Sequence, residues 1–258
     1  MHKGDVVHHV QSVGINPLLH TVQDIEARFP SIDLPIRHIR YFGAGCSTSE
    51  RNERVKQALT FLYPDAYIDV QSDLMGAAKA IYRDKPIQCC ILGTGSNAAV
   101  YDGEQLMTST PSLGYILGDE GSGADLGKII LRDYLYRRLP KDMAESVAEH
   151  TSGLHAEDLV NRLYRGESPN RWLASFAKLL SEHRTNDYTR QLLQERFKAF
   201  YNAFLSNNDI REVGAVGSIA FHFQSEFNQV LNHHGMILKR IYKSPIDGLV
   251  DFYRTFAS

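Results

Sequence analysis

The segment Pro86-Ile87-Gln88-Cys89-Cys90-Ile91-Leu92 is a continuous apolar run that ends in Gly93-Thr94-Gly95-Ser96-Asn97. Such a run, bounded by turn residues, predicts a buried strand, in which the consecutive side chains of Cys89 and Cys90 point to opposite faces. The glycine-flanked loop continues into Ala98-Ala99-Val100-Tyr101, and Asp102-Gly103 between two short strands predicts a hairpin. Upstream, Ile36, Ile39, Tyr41 and Phe42 lead into the small-residue turn Gly43-Ala44-Gly45-Cys46-Ser47. Ser49 then opens a helix with Val55, Ala58, Leu59 and Leu62 on one face. Strand, glycine turn and helix in succession mark an α/β protein.

The remaining pattern fits that class. Val6, Val7 and Val10 lie in a short β-prone run. Gly14-Ile15-Asn16-Pro17 interrupts it, because Pro17 biases Asn16 away from the helical region. Thr21 caps a helix through Phe29, residues 69–73 read as a strand, and residues 77–82 as a helix. From Gly121 the chain becomes helical: Leu126, Ile129, Ile130, Leu135 and Leu139 recur at helical steps, and amphipathic stretches cover 142–164, 171–182 and 187–206. A further strand is expected over Val213 to Phe223, with Gly214 and Gly217 inside it, and a final short helix follows Ser244-Pro245-Ile246. The 258 residues correspond to between one and two domains at roughly 150 residues each.

Charge and cysteine content narrow the function. The formal net charge is −2 and no basic tail or stripe occurs, so nucleic acid and anionic membrane lack their usual electrostatic driver. No apolar stretch approaches the roughly 20 residues that span a bilayer. The three cysteines, Cys46, Cys89 and Cys90, imply no disulfide framework, and His233-His234 has no partner at metal-ligand spacing. Met1 to Asp5 lacks an apolar signal-peptide core, which makes the cytoplasm the expected compartment.

Four segments have residue types suited to chemistry, and each has a plainer reading beside it. Gly93-Thr94-Gly95-Ser96 offers backbone amides and two hydroxyls to a phosphate chain, or is a tight turn. Gly114-Tyr115-Ile116-Leu117-Gly118-Asp119-Glu120-Gly121-Ser122-Gly123 holds acids that accept hydroxyl pairs, or is a helix start capped by Ser122. Asp73, just before Gly76-Ala77-Ala78, is a reactive carboxylate or an N-cap. Gly214-Ala215-Val216-Gly217-Ser218 admits a close neighbour, either a ligand or a packed helix.

Taken in order with Gly14-Ile15-Asn16-Pro17, these segments resemble the N-acetylglucosamine kinase and BadF-type ATPase branch of the actin-like, sugar-kinase and heat-shock-protein ATPase superfamily. The resemblance covers nearly the whole chain. It implies an α/β fold of two ribonuclease-H-like lobes around a central cleft. Residues 1–84 with a returning helix at 246–258 would form the first lobe, and residues 85–245 the helix-rich second. It also implies roles: Asp73 as general base, Asn16, Gly114, Tyr115 and Asp119 on the sugar, Thr94, Gly95 and Ser96 on the β/γ-phosphates, and Gly217 and Ser218 beside the adenosine. ATP and Mg²⁺ are the implied cofactors, sugar and nucleotide the implied small-molecule partners, and a homodimer the implied assembly.

The family pattern opens with a strand, a first phosphate loop of the Asp-Gly-Gly-x-Thr kind and a second strand. Here 13 residues precede Gly14 and no such loop occurs, so the chain reads as N-terminally shortened, with the first lobe incomplete and the Asp that helps hold Mg²⁺ missing. The expected activity is ATP-dependent phosphorylation of an amino sugar, foremost N-acetylglucosamine. A BadF-type ATPase activator and a non-catalytic sugar-binding or regulatory protein stand as alternatives. The activator shares an iron–sulfur cluster between subunits, and the three cysteines offer no spacing for one.

Overall fold

The structure is a computed structural model that describes residues 10, 14–30, 32, 34–107 and 110–256. The strand expected at Val6 and Val7 lies outside the described residues. The chain divides into two compact units, Met1–Ala80 with Leu249–Ser258, and Ile81–Gly248.

In the first unit, α1 (Val22–Arg28) begins with a reciprocal capping box. Thr21 Oγ1 accepts from the Asp24 amide at 3.2 Å while the Asp24 carboxylate accepts from the Thr21 amide at 2.9 Å. Then come β1 (His38–Gly43), α2 (Ser49–Leu62), β2 (Tyr67–Ser72) and α3 (Asp73–Ile81). β1 and β2 pair in parallel from His38↔Tyr67 to Gly43↔Ser72, and α2 supplies the crossover that parallel neighbours need. Val55, Ala58 and Leu59 of α2 are buried with Ile25 and Ile68. Leu62, expected on the same face, is at the frayed end of the helix and exposed. The helix expected from Ala77 starts at Asp73 instead.

The second unit has five strands: β3 (Ile87–Leu92), β4 (Ser96–Tyr101), β5 (Leu106–Met107), β6 (Glu212–Val216) and β7 (Ile237–Tyr242). They form one sheet in the order β5-β4-β3-β6-β7. β3 pairs antiparallel with β4 and parallel with β6, and β6 pairs parallel with β7. β3 is the buried central strand that its apolar run predicts, with Cys89 and Cys90 both inaccessible. Its one polar side chain is satisfied: Gln88 donates to the Ile210 carbonyl at 2.6 Å and accepts from Asn208 Nδ2 at 3.0 Å. The Asp102-Gly103 hairpin joins β4 to β5.

The helices of this unit are α4 (Gly114–Leu117), α5 (Gly123–Leu135), α6 (Lys141–His150), α7 (Ala156–Arg165), α8 (Pro169–Ser175), α9 (Ala177–Glu182), α10 (Asp187–Phe200), α11 (Ser218–His222) and α12 (Gln224–His233). α13 (Pro245–Phe256) ends the described chain. Three expectations need correction. The stretch 142–164 is two helices, because Ser152 and Gly153 turn the chain through positive φ (54° and 67°). The stretch 187–206 finishes in a π-helical turn, Tyr201–Leu205. The strand expected to run to Phe223 stops at Val216, where Gly217 (φ 125°) turns the chain into α11. No helix among the described residues is long and apolar enough to cross a membrane.

Phe176, Phe197, Phe200, Phe223 and Phe227 fill the core against β3 and β6. The tightest contact there is between α5 and α8: a Cβ on Gly127 would lie 1.8 Å from the Leu173 carbonyl oxygen. That contact is with backbone, so a side-chain rotation cannot relieve it. Gly127→Ala is expected to destabilise the protein by about 3 kcal/mol, seen as a melting temperature several degrees lower. An unchanged melting temperature would contradict this close crossing.

Candidate functional site

In the first unit, the residues expected to act lie at the carboxyl ends of two adjacent parallel strands, where open α/β sheets place their ligands. Asp73 directly follows β2, and Gly43-Ala44-Gly45-Cys46 follows β1. Asp73 is not the helix cap. Ser72 Oγ takes that position by accepting from the Met75 amide at 3.2 Å, and the Asp73 carboxylate accepts from the neighbouring Leu74 amide at 2.8 Å. Burial pushes the Asp73 carboxyl above the ordinary aspartate range, against the pull of that amide. Cys46, after β1, lies close enough to feel this carboxylate: its thiol is pushed up to about 11 by burial and by the Asp73 charge. Asn16 lies against the turn after β1, since a Cβ on Gly45 (φ +84°) would fall 2.2 Å from Asn16 Oδ1. Its Oδ1 also accepts from the Leu18 amide at 3.0 Å. Asn16 and Asp73 are thus brought to the same pair of strand ends.

In the second unit the same geometry recurs. β3 and β6 pair up to Ile91↔Val216, so the Gly93 loop and Gly217-Ser218 leave adjacent parallel strands side by side. A Cβ on Gly217 would lie 2.2 Å from the Leu92 carbonyl oxygen, and one on Gly214 2.2 Å from Ile81 Cγ2. The close neighbours foreseen for these glycines are therefore the protein's own strand and helix.

The loop 93–95 is clamped by α5. The Gly93 carbonyl accepts from the Gly123 amide at 2.8 Å and the Thr94 carbonyl from the Ala124 amide at 3.0 Å. The amides of Thr94 and Gly95 have no partner among the described residues, and Ser96 Oγ is buried without one. Orphaned donors of this kind suit a phosphate.

Asp119 connects this loop to the acidic segment. It is 9 % exposed and holds a left-handed backbone (φ 60°), a conformation uncommon for any residue with a side chain. Its Oδ1 accepts from the Ser96 amide at 3.3 Å, and a Cβ on Gly95 would lie 2.9 Å from its Oδ2. Burial pushes its carboxyl up, the Ser96 amide opposes this, and the nearby charges of Glu120 and Asp125 push it further up. Gly114 (φ +70°) and Tyr115 begin α4, with the Tyr115 ring partly buried against the core. A cavity of about 610 Å³ among His150, Arg162 and Trp172 contains none of these residues.

Sequence reasoning missed three residues that hold the segment in place. Asp125 accepts from the Gly121 amide at 2.9 Å and pairs with Arg196 Nε at 2.7 Å, while Lys128 donates to the Tyr115 carbonyl at 3.1 Å. The spacing Ser122-x-x-Asp125 is a capping-box signal, and Ser122 Oγ does accept from the Asp125 amide at 3.2 Å. Arg196 belongs to α10, far along the chain, and no local pattern marks it. Among the described residues no group of three or more His, Cys, Asp or Glu is placed to hold a metal ion.

No protein-family model matches the chain, and no curated protein sequence matches it significantly. Solved structures do match. A protein of Porphyromonas gingivalis assigned as an N-acetylglucosamine kinase is 32 % identical with a TM-score of 0.87, over 95 % of this chain and 90 % of that one. A second such assigned kinase, from Chromobacterium violaceum, is 15 % identical with a TM-score of 0.64, over 90 % of this chain and 82 % of that one, and shows the shared fold. With a solved relative at that identity over nearly its full length, and with its glycine loops at the ends of parallel strands, the chain belongs to the N-acetylglucosamine kinase family of the actin-like sugar-kinase fold.

Proposed function

We propose that this protein transfers the γ-phosphoryl group of ATP to a hydroxyl of an amino sugar, with N-acetylglucosamine as the preferred acceptor. The observation that carries this reading is the Asp119 carboxylate bound to the Ser96 amide, which links an acid suited to sugar hydroxyls to a loop suited to phosphate. The orphaned Ser96 Oγ and the free Thr94 and Gly95 amides support a nucleotide phosphate chain there, and Gly217 and Ser218 on the neighbouring strand end would border the adenosine. Mg²⁺ prefers a few carboxylates together with substrate phosphates, and Asp119 is the carboxylate that touches the loop. When bound, the ion supplies neutralisation of the developing phosphate charge.

The protein's own groups do the rest. Asn16, Tyr115 and Asp119 orient the sugar. Asp73 takes the proton of the attacking hydroxyl as its oxygen bonds to the γ-phosphorus and the bond to the ADP oxygen breaks. Phosphoryl transfer depends mainly on positioning and charge stabilisation, and a desolvated carboxylate is a stronger base than an exposed one. The ATPase-activator alternative needs cysteines that can share an iron–sulfur cluster. Cys46, Cys89 and Cys90 are all buried, which weighs against it.

The deciding experiment is ADP release with Mg-ATP across N-acetylglucosamine, glucosamine, N-acetylmannosamine, N-acetylmuramic acid and glucose. Release strongest with N-acetylglucosamine is expected, and no sugar-dependent release with any hexose would sink the proposal. Asp73→Asn should lower kcat by about a thousandfold with a small change in sugar KM. The wild-type rate should climb with pH through a pKa above the ordinary aspartate range, a limb that Asp73→Asn lacks.

Stability should move the other way. The folded state holds the Asp73 proton more tightly than the unfolded state, so this group favours folding at low pH and loses that contribution as pH rises through the folded pKa. Asp73→Asn is therefore expected to melt above wild type at pH 7, with the gain shrinking toward pH 3. A lower melting temperature at pH 7 would count against a desolvated base.

A further inference from the structure

Three charged side chains without a role in the chemistry above meet behind the acidic segment. Asp125 Oδ2 accepts from the Gly121 amide at 2.9 Å and from Arg196 Nε at 2.7 Å, and Asp125 Oδ1 lies 3.9 Å from Lys128 Nζ. Lys128 Nζ also donates to the Tyr115 carbonyl at 3.1 Å. The segment 114–121, which carries Gly114, Tyr115 and Asp119, is thus fastened near its start by Lys128 and at its end by Asp125. Both ties start from α5, and the Asp125 tie is braced by Arg196 of α10.

The helical half of the segment, α4, has little packing beyond the Tyr115 ring, whereas Gly118, Asp119 and Gly121 are buried. Ile116 and Leu117 are 72 % and 75 % exposed, and a Cβ on Gly114 would meet nothing within 4 Å. Segments with few buried contacts open locally at small cost, so these polar ties set how often this one is ordered. The ties differ in kind. The Asp125 side chain is 4 % exposed, and removing Arg196 would strand a buried charge and threaten the fold. Lys128 is 44 % exposed, and Asp125 keeps Arg196 and Gly121 without it. Lys128 is therefore the member that can be removed with the fold intact.

We infer that Asp125 and Lys128 of α5, braced by Arg196 of α10, form a positioning device that orders segment 114–121 and so sets the affinity for sugar without touching it. The link to sugar rests on the kinase reading above, whereas the link to segment order does not. The test is hydrogen exchange of the ligand-free protein together with sugar kinetics, comparing wild type, Lys128→Met and Lys128→Arg. In Lys128→Met the amides of 115–121 should exchange about tenfold faster, with α5 and α10 unchanged. Sugar KM should rise about tenfold with kcat within about twofold. Lys128→Arg keeps a donor and should restore both.

Unchanged exchange in 115–121 would overturn the inference, as would faster exchange throughout the second unit or a loss of kcat at constant KM. If the wild type phosphorylates no sugar, the kinase reading fails and the exchange result alone decides whether the tether exists.

Discussion

The parallel pairing of β3 with β6 is the constraint on which the second unit depends. It aligns Gln88 with Val213 and Ile91 with Val216, so two loops distant in sequence emerge from neighbouring strand ends. The backbones then come so close that only glycine fits at position 217, against the Leu92 carbonyl. Once the Gly93 loop is held there, its carbonyls meet the first amides of α5. Those amides are taken by the loop's carbonyls and the Gly93 amide by the Gly95 carbonyl, which leaves the Thr94 and Gly95 amides without a partner among the described residues.

The aspartates shielded from water in this molecule differ in how they are partnered. Asp125 is matched by a guanidinium and an amide and functions as a structural anchor. Asp73 and Asp119 are desolvated and held by backbone amides rather than by a paired cation, and burial pushes both carboxyls upward. A carboxylate in that state is costly to keep ionised, and perturbed acids of this kind concentrate at functional sites. The contrast between a paired carboxylate and an unpaired one is the basis on which Asp73 and Asp119 are proposed for the chemistry.

The elements with local signals were legible in the sequence: the apolar run of β3, the Asp102-Gly103 hairpin, the Thr21 and Ser122 caps, and the glycine turns that follow β1 and β3. What escaped had no local signal. β7, Ile237–Tyr242, is interrupted by the consecutive charges Lys239 and Arg240, and its strand state comes from pairing with β6. The strand expected through Phe223 overran because Ile219, Ala220, Phe221 and Phe223 fit either state, while the positive φ of Gly217 turns the chain into a helix. At the site, the loops were readable from their glycines. Ser72 as the true cap, and Arg196 as the partner of Asp125, needed coordinates, since one is a choice between adjacent residues and the other spans distant helices.

The adjacent thiols of β3 have a consequence of their own. Cys89 and Cys90 point to opposite faces of the central strand, both are inaccessible, and burial holds both far from the reactive thiolate form. Neither can be alkylated while the sheet is closed. Together they act as an internal clock for the opening of the strand from which the Gly93 loop emerges beside Gly217, readable from either face of the sheet.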